Sequence, residues 1–185
     1  MEWKERLKAK NKQTAEKIKI FNNGVNKAKE IKGVQRKIKD FLSIAKIEDD
    51  LLILACDNLF DFDLSRLISF KKEKNSSSVV IKKIENIELV KKYSSVLLDE
   101  DKKITFFEEK PEAPKSNLVS VFCYLIKKED LILLKNNSDF SCRNIIEFLH
   151  KESKVYGKIF EDFWIDIGSI SELKLAEEHF KSFSN

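Results

Sequence analysis

Three short stretches of the chain carry side chains that could do chemistry together. The first is Ala55-Cys56-Asp57-Asn58, where an acid and an amide follow directly on an apolar run. In open α/β sheets, ligands collect outside the carboxyl ends of strands. A carboxylate in that position can hold Mg²⁺, a hard ion that takes oxygen ligands and keeps some waters and substrate phosphates. The second stretch is Phe163-Trp164-Ile165-Asp166-Ile167-Gly168, in which Asp166 interrupts an apolar run. A buried carboxylate is costly enough to need a metal, a cation or several hydrogen-bond donors. The third is Phe107-Glu108-Glu109-Lys110-Pro111. Pro111 ends a strand and biases Lys110 toward an extended backbone. Lys110 is then a point charge suited to a phosphate, and Glu109 can accept hydrogen bonds from sugar hydroxyls. Each stretch also has a plainer reading. Asp57 and Asn58 are turn and cap residues, Asp166 can accept backbone N–H groups at the next turn, and Glu109 and Lys110 can be an exposed strand end.

Those residues need strands to hold them, and the pattern supplies strands. Residues 51–55 form a continuous apolar run, the mark of a parallel strand buried on both faces. Asp63, or less well Asp61, can N-cap a helix carrying Leu67, Ile68 and Phe70. Residues 76–81 read as the next strand. The runs 93–98 and 103–107 bracket Asp99-Glu100-Asp101-Lys102 and predict a hairpin. Residues 118–126 are a strong strand, 131–134 and 145–150 lie on helices, and 155–167 read as strand again. A final amphipathic helix spans 171–180, with Ser169 or Ser171 as its cap. Toward the start, 3–12 is a charged helical lead-in. Ile18, Ile20 and Phe21 make a short β run ended by Asn22-Asn23-Gly24, and Gly33 precedes a helical pattern of Val34, Ile38, Phe41, Leu42 and Ala45. Strands alternating with helices predict an α/β fold with a mixed, mainly parallel sheet flanked by helices, and 1–185 as one domain.

Composition narrows the function. Lys+Arg 35 against Asp+Glu 31 gives a net charge of +4, interspersed along the chain, so nucleic acid is not an expected partner. No apolar run approaches the ~20 residues that span a bilayer. The Lys-rich start carries Glu2, Glu5 and Glu16 without an apolar core, so it does not read as a secretory signal. Cys56, Cys123 and Cys142 have no CxxC spacing and read as free thiols in a reducing cytoplasm. His150 and His179 sit on helix patterns and read as helix-surface residues. Only 4 glycines occur in 185 residues, which leaves few phosphate-cradling loops.

Taken in order, Cys-Asp-Asn, then Glu-Glu-Lys-Pro with Pro114-Lys115-Ser116 behind it, then Trp-Ile-Asp-Ile-Gly-Ser resemble the sugar-1-phosphate nucleotidyltransferase family. The glucose-1-phosphate thymidylyltransferase type is the nearest variety, and the resemblance runs from about residue 17 to 180. It implies a Rossmann-like fold. It implies that Asp57 and Asp166 bind Mg²⁺, and that Glu109, Lys110 and Tyr124 meet the sugar phosphate, with Lys110 aiding catalysis. It places Gly33 near the nucleotide base. The implied reaction is in-line attack of a sugar-1-phosphate oxygen on the α-phosphate of an NTP, releasing pyrophosphate.

The chain also departs from that family. The strand, the Gly-x-Gly-Thr-Arg loop and the downstream Lys that cradle the NTP phosphates have no counterpart in these residues. Cys56, Ser94, Phe122 and Cys142 stand where the family keeps glycine, with Phe122 the bulkiest, which suggests a relaxed demand for catalysis. These departures predict a truncated nucleotidyltransferase fold, inactive as an isolated chain. Its partners would be the missing N-terminal half or a paralogous full-length transferase, for which it could be a non-catalytic, sugar-phosphate-binding subunit.

Overall fold

The structure is a computed structural model that describes residues 41, 42, 45, 47–136 and 145–181. The elements expected at 3–12 and 18–24, Gly33, most of the helix after it, and Cys142 lie outside the described residues. Of that helix, Phe41 and Leu42 are described and helical, and Leu42 is buried in the core.

In chain order the elements are β1 (Leu51–Leu54), β2 (Asn58–Phe60), α1 (Leu64–Lys74), β3 (Ser77–Lys83), α2 (Ile87–Val90), β4 (Ser94–Leu98) and β5 (Ile104–Glu109). They are followed by β6 (Leu118–Ile126), α3 (Lys128–Asn136), α4 (Ile145–Glu152), β7 (Val155–Ile159), β8 (Trp164–Asp166) and α5 (Ile170–Lys181). The main sheet has the order β1-β6-β3-β7. β6 runs antiparallel to both β1 and β3, and β3 and β7 are parallel. Three of the four strands therefore point one way, and β6 alone runs against them. β2 and β8 form a two-stranded pair, and β4 and β5 form the expected hairpin.

Side chains alternate faces along a strand, and here both faces are covered. Tyr124 and Ile126 of β6, with Val79 and Ile81 of β3, pack on one side with Val96, Ile104 and Phe107 of the hairpin. Val121, Cys123 and Leu125, with Val80, pack on the other side with Leu67 of α1 and Phe160. This two-sided burial is why β3 and β6 read as continuous apolar runs.

β1 departs from the expectation of a parallel strand, since its pairing with β6 is antiparallel. Among the described residues it pairs with β6 alone, and Leu54 is 44% exposed. Its apolar run reports a strand whose faces both meet cores, Leu51 and Ile53 on one side and Leu52 on the other. The run 155–167 is also not one strand. β7 stays in the main sheet and β8 leaves it to pair with β2. The break falls where Phe160 turns into the core and Asp162 is held by Arg66, with Nη1 3.1 and 3.0 Å from its two carboxylate oxygens. β2 and α2 have no counterpart in the sequence reading.

Local chemistry fixes the joints. Asp63 caps α1, its Oδ1 accepting from the Ser65 N–H at 2.8 Å. Ser169 caps α5: Glu172 N–H donates to its Oγ at 3.3 Å, and Glu172 Oε2 accepts from Gly168 N–H at 2.9 Å. This is a capping-box arrangement displaced by one residue. The hairpin is tied to β6 by buried hydroxyls. Ser94 Oγ accepts from Ser120 N–H at 2.9 Å, and Ser95 Oγ accepts from Lys115 and Ser116 N–H groups at 2.9 and 3.1 Å. Such bonds answer for polar groups that burial would otherwise leave unpaired.

Neither histidine is a plain surface residue. The His179 ring stacks on Phe163 at 3.7 Å, and its Nε2 lies 2.8 Å from Asp61 Oδ2, which pins the end of α5 to the β2–β8 pair. His150 is half-buried, and its Nε2 has no hydrogen-bond partner among the described residues. Burial first, then Lys151 and Lys103, push its pKa below the usual value against a weaker pull from Glu147.

Two predictions follow from this packing. A Cβ on Gly157 would lie 2.7 Å from Ile81 Cγ1 and 2.8 Å from Leu98 Cδ2, whereas one on Gly168 would meet only Glu172 Oε2 at 3.4 Å. Gly157→Ala should therefore destabilise by about 1–3 kcal/mol in urea unfolding, and Gly168→Ala much less. Equal effects would mean the hairpin does not press on β7. For His150 the sign is set by a depressed folded pKa. The unfolded chain takes up the proton first as pH falls below about 6.5, so folding stability is lost from there downward. Melting curves at pH 7.5 and 5.5 should differ less for His150→Leu than for the wild-type chain.

Candidate active site

The site begins three residues past the end of β1. There the chain reverses into β2, whose partner is β8. The register sets Asn58 opposite Asp166, Leu59 opposite Ile165 and Phe60 opposite Trp164. The pairing extends at both ends, with Ile167 N–H donating to the Asp57 carbonyl at 2.8 Å and Asp61 N–H to the Phe163 carbonyl at 3.3 Å. Two acids 109 residues apart in the chain, Asp57 and Asp166, thus come to one end of a short ladder.

Asn58 lies between them. Its Nδ2 donates to Asp57 Oδ1 at 3.0 Å and to Asp166 Oδ1 at 3.2 Å. Trp164 Nε1–H donates to Asn58 Oδ1 at 2.8 Å. Asp166 does not act as a turn cap. The next two backbone N–H groups go elsewhere, Ile167's to the Asp57 carbonyl and Gly168's to the Asp166 carbonyl and Glu172. Burial, then the charges of Asp57 and Glu172, raise the Asp166 pKa above the usual carboxylate value, and the Asn58 hydrogen bond offsets part of that. The carboxylate pair is held together while its repulsion is only partly answered.

The third stretch reaches the same place through Tyr93. Lys110 N–H donates to the Tyr93 carbonyl at 2.6 Å, one step beyond the Ser94–Glu109 pair of the hairpin. The Tyr93 ring meets Trp164 edge-on at 5.2 Å. Burial, then Asp166 and Glu172, raise the Tyr93 pKa, so its hydroxyl shares the field of the acids. Lys110 is exposed, as a phosphate-binding cation requires, but its backbone is not extended. It has φ 49°, in the left-handed region, where closing the bond to Tyr93 turns the chain ahead of Pro111. For a residue with a Cβ this costs about 1–2 kcal/mol, and strain of this kind tends to gather at functional sites. Glu109 is half-buried at the end of β5. Tyr124 is placed differently, 3% exposed within the core, with its ring 4.7 Å from that of Phe122.

Asn58, Trp164 and Tyr93 join the site although the sequence reading gave them no role there. Trp164 carried a usable signal. An indole N–H inside an apolar run needs an acceptor, and two residues' separation sets Trp164 and Asp166 on the same face of the strand.

Among the described residues, no group of three or more His, Cys, Asp or Glu side chains gathers as a metal site. The protein donors here are two carboxylates. That set suits a hard divalent cation that fills its remaining positions with water and phosphate oxygens, and a cation would answer the repulsion that Asp166 records.

A mixed sheet covered on both faces defines an α/β protein, and the carboxylate pair beyond a strand end lies where ligands collect in such folds. A profile of the family described as nucleotidyl transferase matches residues 2–182, and the chain belongs to that family. Members of the family use a divalent metal. The chain is 34% identical over 131 residues to a glucose-1-phosphate adenylyltransferase of Clostridium novyi, covering 66% of this chain and 34% of the relative. It is 29% identical over 160 residues to the bifunctional protein GlmU of Methanocaldococcus jannaschii, covering 82% and 35%. The chain therefore spans about a third of the length of these relatives. Among solved structures, apo UDP-glucose pyrophosphorylase superposes with a TM-score of 0.73 at 19% identity, covering 98% of this chain and 71% of that one, a likeness of fold.

The carboxylate coupling can be measured. Asp57→Asn removes the largest charge contribution to the Asp166 shift and leaves the burial contribution. In a carboxyl ¹³C titration, the Asp166 pKa should move down toward the ordinary range without reaching it. An unchanged value would mean the two acids do not share a field.

Proposed function

We propose that this chain carries the sugar-phosphate and metal side of a sugar-1-phosphate nucleotidyltransferase, with Mg²⁺ held by Asp57 and Asp166. The observation that supports the reading is the convergence of Asp57, Asp166 and Tyr93, with the Lys110 backbone bonded to the Tyr93 carbonyl. When bound, Mg²⁺ supplies positive charge that offsets the charge developing on the phosphates. Lys110 neutralises the sugar phosphate, and Glu109 accepts from sugar hydroxyls. The attacking phosphate oxygen is already anionic, so the site needs positioning more than a general base. The reaction is in-line displacement at the α-phosphate of an NTP with pyrophosphate leaving. Free thiols at Cys56 and Cys123 agree with a reducing cytoplasm as its setting. Among the described residues, no helix is long and apolar enough to cross a membrane.

The 185 residues contain no Gly-x-Gly sequence, so in this reading the NTP phosphates are cradled by a loop these residues do not supply. That feature favours a second role beside catalysis in cis, in which the chain works as a sugar-phosphate-binding partner of a complete transferase. Calorimetric titration with glucose-1-phosphate and Mg²⁺ tests the shared core of both roles. Binding should require Mg²⁺, disappear in Asp57→Ala and Asp166→Ala, and weaken at least about tenfold in Lys110→Met, the scale of a lost charge-assisted contact. The 185-residue chain alone should release no pyrophosphate from ATP, dTTP or UTP with glucose-1-phosphate. Metal-independent binding, or turnover by the chain alone, would overturn the assignment.

A further inference from the structure

We propose that Trp164 and Asn58 form a positioning pair that presets the two carboxylates for a divalent cation, a role that rests on the metal reading of Asp57 and Asp166. An indole N–H is a donor only. Its partner on Asn58, 2.8 Å away, is therefore the carbonyl oxygen, which fixes the flip of the amide. With Oδ1 claimed by the indole, the amide nitrogen must face the acids. It reaches one oxygen of each, at 3.0 and 3.2 Å. Both donor hydrogens are used, and each carboxylate keeps its second oxygen for a cation.

The strand pairing makes this arrangement specific. Asn58 is directly opposite Asp166, and Trp164 is the diagonal neighbour on the same face. Diagonal positions lie about 7–8 Å apart, within reach of a long aromatic side chain. Tyr93 packs edge-on against the indole at 5.2 Å and limits its rotation. The hairpin that carries Lys110 therefore also presses on the residue that aims the amide. Partners that orient ligating groups commonly hold metal affinity within reach of function, and their loss costs ten- to a hundredfold.

Mn²⁺ titration followed by the electron paramagnetic resonance of free Mn²⁺ tests the pair without any assay of turnover. The wild-type chain should bind Mn²⁺ in an Asp57-dependent way. Trp164→Phe keeps an aromatic side chain while deleting the donor together with part of the indole, and should weaken binding about tenfold. In an Asn58→Ala background the same change should cause no further loss, because the indole acts through the amide. Equal losses in both backgrounds, or none in either, would overturn the pair while leaving the metal reading intact. Mn²⁺ binding that survives Asp57→Ala, or fails in the wild-type chain, would overturn the metal reading and the pair together. Circular dichroism melts accompany each variant. If Trp164→Phe does not fold, Asn58→Ala alone decides: it leaves the indole packing in place, and undiminished affinity in it sinks the proposal.

Discussion

Two like charges, Asp57 and Asp166, are held beside one another at one end of the β2–β8 ladder, and the structure around them has to answer their repulsion. Asp57 and Asp166 repel each other and are partly withdrawn from water, which raises the Asp166 pKa. Left to themselves they would separate or take up a proton. The structure answers with a neutral amide that donates to both. An amide adds no charge, so it lowers the cost of convergence while leaving the negative charge of the pair in place, which a lysine there would cancel.

That arrangement depends on the sheet. Asp57 is placed by β1, which hangs on β6, and β6 is the strand through which β1 reaches β3 and β7. Asp166 is placed by β8, which follows β7 after the turn at Phe160. The two acids are therefore carried by opposite ends of the main sheet and return to each other through the small β2–β8 ladder. Phe60 of that ladder stacks on Phe62, which meets Phe160 at a tilt, with centroids 4.1 and 4.7 Å apart. The aromatic series lets a two-stranded ladder, marginal on its own, hold its register against the repulsion.

Much of this was legible in the residues. The hairpin around 99–102, the strand Leu118–Ile126, the Asp63 and Ser169 caps and the two acids each rest on a local pattern: alternation, a capping side chain, a charge in an apolar run. What escaped was non-local. The apolar run 155–167 does not reveal that its second half pairs with a strand more than a hundred residues earlier, because periodicity is the same in either sheet. The bend at Lys110 escaped because Pro111 argues for an extended backbone, and only the bond to the Tyr93 carbonyl turns it left-handed. Asn58 read as a turn residue because its second partner is 108 positions away.

Ser94 and Phe122, where the resemblance would have placed glycine, are taken up by the packing. The Ser94 side chain, 1% exposed, supplies the acceptor that ties the hairpin to β6. Phe122 lies against the core beside Tyr124, and its carbonyl receives the Ala55 N–H at 3.0 Å, which helps to set the segment leading into Asp57. Cys56 points to solvent. The Ser94 hydroxyl thus joins β4 to β6, and the Phe122 ring packs against the core. Tyr124 lies within the same packing, so the expectation that it meets substrate is the weakest part of the family pattern here. Asp57 and Asp166 owe their convergence to the β2–β8 register, which contains none of those positions, whereas Glu109 pairs directly with Ser94. The ladder is thus fixed by pairings separate from the β4–β6 packing, while the Tyr93–Lys110 backbone bond turns the chain at the end of the hairpin.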